Sequence, residues 1–161
     1  MDDFSHYSEK GDSMMVDVSS KEATVRTAKA EGFVKMQPAT LNLIEKRLLP
    51  KGNLFEVSRI AGIMAAKKTA EIIPMCHPLN LSFINVDIEF DRAKGGIRVS
   101  SEIRMKGVTG AEMEALTAVS AAALTVYDMV KAVDKEMIIE GIRLVEKKGG
   151  KSDYNAQKDS N

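Results

Sequence analysis

The sequence has a single cysteine, no long uninterrupted apolar run and no excess of charge of either sign. The lone Cys76 excludes an intramolecular disulfide and argues against a structural zinc site. Lysine and arginine together number 23, as do aspartate and glutamate, so the formal net charge is zero. General electrostatic attraction to nucleic acid or to a membrane surface is therefore not expected, and an anionic ligand would need a local basic cluster.

Neither a signal peptide nor an apolar segment of membrane-spanning length is recognisable, so we expect a cytoplasmic location. The chain has 161 residues, of which 44% are hydrophobic, and no break in composition suggests more than one unit. We therefore predict a single domain over residues 1–161. Its ordered core is expected at about residues 15–150, and both polar ends are expected to be disordered.

Turn residues and hydrophobic periodicity predict the elements of the N-terminal half. A strand is expected over residues 21–36, because Gly32 disfavours a helix there. Pro38 suits the first turn of a helix, which is expected to extend to residue 47. A second helix follows Asn53, whose side chain can cap it. The predicted apolar face of that helix comprises Leu54, Val57, Ile60, Ala61 and Met64.

The pattern changes to strict alternation after Pro78. Apolar and polar residues alternate over residues 84–90 and again over 97–105, with Gly95-Gly96 between them, which predicts two antiparallel strands joined by a hairpin. A long helix from Ala111 and a last strand over residues 137–145 are predicted to follow. This order predicts an α+β protein with the ferredoxin-like βαββαβ arrangement, in which helices cover one face of an antiparallel sheet.

The long helix that begins at Ala111 organises the rest of the chain. At about 100° per residue, its apolar side chains fall on one face, and mostly small side chains fall on the other. Because small side chains let another backbone approach closely, we expect the helix to be buried on both sides. The apolar face comprises Leu116, Val119, Ala123, Val126, Val130 and Val133, and the small residues are Thr117, Ala118, Ala121 and Thr125.

Asp128 and Lys131 lie three residues apart on this helix, about 60° from each other around its axis, so their side chains can touch. Both an ordinary ion pair and a buried functional pair are open, since the apolar neighbours favour burial. A lysine beside a carboxylate in a dry cleft can act as a general acid or base. Glu114 lies on nearly the same side but about 21 Å away along the axis. It therefore belongs to another part of a large ligand, or to a neighbouring subunit's site.

The segment Pro74-Met75-Cys76-His77-Pro78 is predicted to be a rigid extended loop. A lone histidine is more often structural than catalytic, but the flanking prolines favour a ligand site. Cys76 is more typical of a small buried hydrophobic residue than of a nucleophile. Adjacent cysteine and histidine residues rarely converge on one ion, so no metal site is predicted.

Lysines at three places are of interest: Lys51 in a Pro-Lys-Gly turn, Lys67-Lys68 at a helix end, and Lys147-Lys148 with Lys151 around Gly149-Gly150. Each alone is typical of a solvated surface charge. Residues 149–152 imitate the end of a phosphate-binding loop, but position 145 is valine where that motif needs glycine, so we reject a P-loop. A glycine pair flanked by lysines could still donate backbone N–H groups to a phosphate. No catalytic-triad order, metalloprotease motif or dinucleotide fingerprint is present.

Six motifs, in order along the chain, carry a resemblance to one family. They are Met15-Val16-Asp17-Val18, Arg59-Ile60-Ala61-Gly62, Ile73-Pro74-Met75-Cys76-His77-Pro78-Leu79, Gly110-Ala111-Glu112-Met113-Glu114-Ala115-Leu116-Thr117, Tyr127-Asp128-Met129-Val130-Lys131-Ala132 and Lys148-Gly149-Gly150-Lys151-Ser152. Over about residues 14–152 the chain resembles the molybdenum-cofactor biosynthesis protein C family, the cyclic pyranopterin monophosphate synthases.

The resemblance implies a ferredoxin-like subunit of a homohexamer built as a trimer of dimers, with active sites between subunits. It implies a lyase that converts 3′,8-cyclo-7,8-dihydroguanosine 5′-triphosphate, supplied by an upstream radical enzyme, to cyclic pyranopterin monophosphate and diphosphate. No cofactor is implied, although Mg²⁺ can accompany the phosphates.

The same resemblance implies roles for particular residues. Asp128 and Lys131 are expected to be catalytic, with Lys51 as a further acid, base or phosphate ligand. The expected substrate-binding residues are Met75, Cys76, His77, Met113 and Glu114, with Glu112, Lys67 and Lys147 as weaker assignments. A triphosphate ligand would account for scattered lysines in a chain of zero net charge.

Two other classes of function are open from the sequence. One is a non-catalytic oligomeric module that binds a nucleotide or a pterin. The other is a structural assembly protein, in which the small-residue helix face serves association alone. Asp128 and Lys131 together favour the enzyme, because a pure binder needs no acid–base pair.

Overall fold

The computed structural model describes residues 12–46 and 52–156 of the chain. Its elements are β1 (Thr24–Lys35), α1 (Pro38–Glu45), α2 (Leu54–Lys67), α3 (Thr69–Ile72), β2 (Leu81–Asp91), β3 (Gly96–Gly107), α4 (Glu112–Val130), β4 (Ile138–Lys148) and β5 (Tyr154–Asn155).

The strands form one antiparallel sheet in the order β2-β3-β1-β4-β5. The prediction of an α+β, ferredoxin-like βαββαβ arrangement is confirmed. Helix α4 packs on β1, β3 and β4, and α2 packs on α4 and on β2. The hairpin between β2 and β3 turns at Gly95, whose φ of 71° lies in the region that glycine favours.

The central strand β1 explains why α4 lies so close to the sheet. Alternate side chains of β1, including Ala28, Ala30 and Val34, are buried beneath the helices. Gly32 lies in the same row, and a Cβ atom there would be 2.8 Å from Cγ1 of Val119 on α4. The missing side chain therefore lets α4 rest almost directly on the strand backbone.

The contact between α2 and α4 is made by small residues, which corrects the predicted face of α2. Its buried residues are Leu54, Ser58, Gly62 and Ala66. A Cβ atom on Gly62 would lie 2.9 Å from the carbonyl oxygen of Ala118. Larger apolar side chains do not fit at this crossing, so Val57, Ile60 and Met64 are 43%, 58% and 47% exposed. The Asn53 cap is confirmed, since its side chain accepts a hydrogen bond from the Glu56 N–H at 3.3 Å.

Helix α4 is the core helix of the fold. Most of its predicted apolar face is buried, with Val119, Val126 and Val130 fully enclosed, while Val133 is exposed beyond the helix end. Its alanine-rich composition also gives a mean hydropathy of 1.2 over 18 residues, so a helix of membrane-spanning length and composition is present after all. Its packing against three strands of the sheet and against α2 is that of a core helix in a folded domain.

The predicted disordered end after Gly150 is wrong for the part that the structure describes. Tyr154 and Asn155 form β5, which pairs with the end of β4, and the Ala156 N–H donates to the Val145 carbonyl at 2.9 Å. The predicted end of α1 at residue 47 and the outer parts of both polar ends, 1–11 and 157–161, lie outside the described residues.

Candidate functional site

Two adjoining depressions lie at the N-terminal end of α4. The first, the α4 groove, has a volume of about 440 Å³ and is bordered by the loop before β2 and the first turn of α4. Six of the predicted substrate-binding residues line it: Met75, Cys76, His77, Glu112, Met113 and Glu114. The two prolines of the loop and the start of a long helix give these side chains a rigid frame.

The second depression, the basic pocket, has a volume of about 260 Å³ and lies beside the groove. Its lining residues with charged or hydroxyl side chains are Lys21, Arg26, Thr27, Thr109, Glu112, Lys147, Lys148, Lys151 and Ser152, and Gly150 contributes backbone. Lys21 and Glu112 line both depressions, so the two adjoin. A cluster of cations in a neutral chain is suited to bind a polyanion.

Contacts within the basic pocket fix its shape. Arg26 donates to the carbonyl oxygens of Gly107 and Val108 at 2.9 and 3.1 Å, which holds the segment leading into α4. Lys147 lies 3.2 Å from a carboxylate oxygen of Glu112, so β4 and α4 are joined across the pocket. Lys148 is paired in turn with Glu146 of its own strand at 2.7 Å. Arg26 therefore shapes the pocket, and Lys147 and Lys148 line it as members of ion pairs.

Glu114 is the most unusual ionisable group of the groove, because the residue is only 3% exposed. The pKa of its carboxyl is raised to about 7, chiefly by burial; a hydrogen bond from its own backbone N–H opposes the rise, and the charge of Glu112 adds to it. Burial also raises the pKa of the Cys76 thiol, with a smaller contribution from the Glu114 charge. Cys76 is therefore held as a thiol rather than as a nucleophilic thiolate.

Asp128 and Lys131 form the predicted ion pair at the other end of α4. The Lys131 Nζ donates to the Asp128 carboxylate at 2.6 Å, and this hydrogen bond raises the pKa of Lys131. The side chains are 60% and 51% exposed, so burial of the pair is not observed in the single chain. Both point away from the packed faces of α4, which explains why apolar sequence neighbours do not cover them.

A buried carboxylate that sequence reasoning missed lies just beyond this pair. Asp134 is 4% exposed and accepts hydrogen bonds from the Gln37 N–H and from the Thr40 hydroxyl, both at 3.0 Å. It also accepts from the Glu136 N–H at 3.0 Å. The turn after α4 is thus fastened to the start of α1. Nothing local in the sequence marks Asp134 as buried, because Gln37 and Thr40 are far away from it in the chain.

The sequence model of a family described as the MoaC family matches residues 15–150. The chain belongs to the MoaC family. It is 56% identical over 153 residues to the cyclic pyranopterin monophosphate synthase of Parvibaculum lavamentivorans, covering 94% of this chain and 96% of that protein. The synthase of the same name from Corynebacterium glutamicum strain R is 54% identical over 158 residues, covering 98% of this chain and 100% of that protein. The resemblance inferred from the motifs is confirmed.

The structure of this MoaC-family chain separates the expected site residues into two groups. The α4 groove and the basic pocket bring together the six groove residues and Lys147. Lys67 lies at the edge of a neighbouring cavity of about 120 Å³ that also contacts Glu114. Asp128 and Lys131 are about 21 Å or more from Glu114 along the helix. Lys51 lies outside the described residues.

Lys21 and Arg26 are two residues of the basic pocket that the sequence alone did not single out. Strand β1 pairs with β4 so that Thr27 lies opposite Lys148, which brings the start of β1 to the Gly149-Gly150 turn. Only knowledge of that pairing links the two segments. No group of three or more His, Cys, Asp or Glu residues suited to a metal ion occurs within residues 12–46 and 52–156.

Proposed function

We propose that this chain is a cyclic pyranopterin monophosphate synthase, a lyase of molybdenum cofactor biosynthesis. It converts 3′,8-cyclo-7,8-dihydroguanosine 5′-triphosphate to cyclic pyranopterin monophosphate and diphosphate. The observation that carries the proposal is that the α4 groove and the basic pocket lie side by side and share Lys21 and Glu112 in their linings. Such a site suits a ligand with a heterocycle at one end and a polyphosphate at the other. The names of the relatives support the same activity.

In this proposal, the substrate spans both depressions. The heterocycle lies in the α4 groove against Met113, Glu114 and the Met75-Cys76-His77 loop, and the phosphates lie among Lys21, Lys147 and the other cations of the basic pocket. Diphosphate is a good leaving group when its charge is balanced, and the lysines supply that balance. No cofactor is required, and any Mg²⁺ would enter with the phosphates as part of the substrate.

The final step needs an acid–base group beside the α-phosphate. A hydroxyl of the substrate attacks the α-phosphorus, its proton passes to a base, and the bond to the departing diphosphate breaks. We assign the acid–base work to Asp128 and Lys131, with Lys51 as a further acid, base or phosphate ligand. The exposed Lys131 keeps its proton beside Asp128, and enclosure in a dry site would lower its pKa towards a useful range.

Because Asp128 and Lys131 are far from the groove of their own chain, we propose that a neighbouring copy supplies them. A homohexamer arranged as a trimer of dimers would place one copy's pair over another copy's groove. The proposed location is the cytoplasm, where an upstream radical enzyme supplies the cyclic nucleotide. The exposed apolar side chains of Val57, Ile60 and Met64 support an association surface on α2.

The decisive experiment is an assay of purified protein with the cyclo-dihydroguanosine triphosphate, in which diphosphate and the pyranopterin are both quantified. The proposal expects both products in equal amounts and expects Lys131→Ala to abolish them while leaving the oligomer intact. Binding without either product would instead identify a non-catalytic binding module. Loss of assembly in Lys131→Ala, with no turnover by the parent protein, would identify a structural assembly protein.

A mixing experiment tests whether sites are shared between copies. Lys131→Ala and Glu114→Ala proteins are each expected to be inactive, and mixed oligomers are expected to regain part of the parent activity. Subunit exchange must be demonstrated separately, for example by mass spectrometry of isotopically labelled chains. Exchange without recovered activity would contradict shared sites and leave the assigned chemistry within one chain.

A further inference from the structure

The chain leaves the packed layer of the protein for three residues directly after α4. Val130, the last residue of that helix, is fully buried, and residues 131–133 are exposed. The next buried residue is Asp134, which is 4% exposed. Lys131, the proposed acid–base group, is the first residue of this exposed span. Its position therefore depends on how the two ends of the span are held.

The carboxylate of Asp134 holds the far end of the span through both of its oxygens. Oδ2 accepts hydrogen bonds from the Gln37 N–H and the Thr40 hydroxyl, both at 3.0 Å. Oδ1 accepts from the Glu136 N–H, also at 3.0 Å, which closes the turn on itself. A parallel contact joins the same segments, since Nε2 of Gln37 donates to the Glu136 carboxylate at 2.8 Å. The far end of the span is thus fixed to the start of α1.

Backbone hydrogen bonds hold the near end of the span. The Lys131 N–H donates to the Tyr127 carbonyl at 2.8 Å, which completes the last turn of α4. The N–H groups of Val133 and Asp134 both donate to the Val130 carbonyl, at 2.9 and 3.2 Å. Helix ends fray where the residues that follow are not held. These last bonds of α4 are therefore protected by the contacts that Asp134 makes with α1.

We propose that Asp134 is a positioning residue for Asp128 and Lys131, because it holds the backbone that carries Lys131 in the orientation that proton transfer needs. This inference rests on the proposed function, which assigns the acid–base work to that pair. The Lys131 Nζ donates to the Asp128 carboxylate at 2.6 Å, and both side chains are more than half exposed in the single chain. Packing within the chain therefore does not fix the two side chains, and their orientation depends on the backbone between Val130 and Asp134.

Loss of this anchor should lower the rate of turnover rather than the affinity for substrate. A displacement of about 1 Å can cost about 100-fold in rate, whereas the α4 groove lies about 21 Å or more away along the helix. We expect Asp134→Ala to lower kcat by about 10- to 100-fold and to change KM by less than about threefold. Asp134→Asn keeps one acceptor oxygen and should retain more of the activity. Thr40→Val removes a single donor and should leave kcat within about threefold of the parent's.

The experiment combines steady-state kinetics with amide hydrogen exchange of the intact protein, under conditions where each variant is folded and has the parent's oligomeric size. The Lys131 N–H opens locally at the helix end, and its exchange should be about tenfold faster or more in Asp134→Ala. Val99→Ala is the matched control, because it removes part of a fully buried side chain of β3 and destabilises the protein far from this turn. It should lower the urea midpoint but keep the parent's kcat and the parent's exchange rate at Lys131.

Four results would overturn the inference: an unchanged kcat in Asp134→Ala, a change in KM alone, an equal loss of kcat in Val99→Ala, or unchanged exchange of the Lys131 N–H. If Asp134→Ala does not fold, Asp134→Asn decides, with a loss of kcat of about threefold or more expected and an unchanged kcat contradicting the inference. No turnover by the parent protein would refute the synthase function and this inference with it. Turnover by the parent with an unchanged kcat in Asp134→Ala would refute this inference alone.

Discussion

Asp134 offers the sharpest test of how the turn after α4 is held in place. Its carboxylate accepts a hydrogen bond from the N–H of Gln37, the residue before α1, whose own side chain makes no capping hydrogen bond. One carboxylate oxygen accepts from the Gln37 N–H and the Thr40 hydroxyl, and the other accepts from the Glu136 N–H. Two segments that are 97 residues apart in the chain are joined through this one group.

Replacing Asp134 with alanine removes all three hydrogen bonds and leaves the buried Thr40 hydroxyl without this acceptor. Hydrogen bonds to a charged group contribute about 1.5–3 kcal/mol each, but water can enter part of the vacated space, so the effects will not add fully. We expect Asp134→Ala to lower the free energy of unfolding by about 3–4 kcal/mol. Asp134→Asn keeps one acceptor oxygen, but its NH₂ group then faces a hydrogen-bond donor of the protein. This variant should therefore lower the free energy of unfolding by about 1–2 kcal/mol.

The effect of pH on these variants follows from the Asp134 pKa. Burial is the largest single effect and raises that pKa, but the hydrogen bonds from Gln37, Thr40 and Glu136 together outweigh it, and the net pKa is lowered. A lowered pKa means that the stabilisation is complete above the ordinary aspartate value and is lost as pH falls through the folded-state value. The deficit of Asp134→Asn should therefore be constant from about pH 5 to 8 and shrink below about pH 4.

Urea unfolding at one fixed protein concentration measures these differences. Thr40→Val alone should cost about 1 kcal/mol, and its effect should nearly vanish when added to Asp134→Ala, because both remove the same bond. Asp87→Ala, which alters an exposed carboxylate on β2, is the matched control. A cost below about 1 kcal/mol for Asp134→Ala, or full additivity with Thr40→Val, would refute the proposed fastening.

Three further perturbations test other parts of the structure. In Gly62→Ala, the higher helix propensity of alanine should add about 1 kcal/mol to the free energy of unfolding, and overlap with the Ala118 carbonyl should remove about 1–3 kcal/mol. A net stabilisation in urea unfolding would contradict the tight crossing of α2 and α4. The pKa of Glu114 is raised, so the parent's stability should fall as pH rises from about 4.5 to 7. Glu114→Gln should not show this fall, and its free energy of unfolding should exceed the parent's by about 2 kcal/mol at pH 8. This difference is smaller than the full pKa shift implies because the groove admits water. Equal pH profiles of the two proteins in thermal unfolding would refute this prediction. Lys131→Met should abolish turnover but change the urea midpoint little, because the ion pair with Asp128 is exposed. A marked loss of stability would show that the pair is structural.

Elements that depend on local pattern could be predicted from the sequence, and those that depend on distant contacts could not. The alternation before and after Gly95-Gly96 correctly predicted β2 and β3, because side chains of a half-buried strand repeat with period two. The face of α2 was wrong, because hydrophobicity favours Val57 and Ile60 whereas the geometry of the crossing requires glycine and alanine. No hydrophobic pattern encodes how close two helices can approach.

The residues of the candidate site likewise divide into those that the sequence could predict and those that depend on distant contacts. The groove residues around His77 and Glu114 lie in two motifs that the family resemblance brings together, and the fold places both beside the N-terminus of α4. Lys21 joins the site through the pairing of β1 with β4, which the sequence does not reveal. The raised pKa of Glu114 arises from enclosure by neighbouring segments, so no property of its own sequence position could have indicated it.

Because α4 is long and rigid, it determines how two mutant alleles of this gene act together in one cell. The helix is held against the sheet at Gly32 and against α2 at Gly62, so its two ends cannot bend towards each other. On the proposed shared-site arrangement, an allele damaged at the Glu114 end and an allele damaged at the Lys131 end each encode a chain that still has one sound half-site. A cell carrying both alleles should recover molybdenum-dependent growth through mixed oligomers. A single allele damaged at both ends should lower the activity of an intact copy expressed beside it.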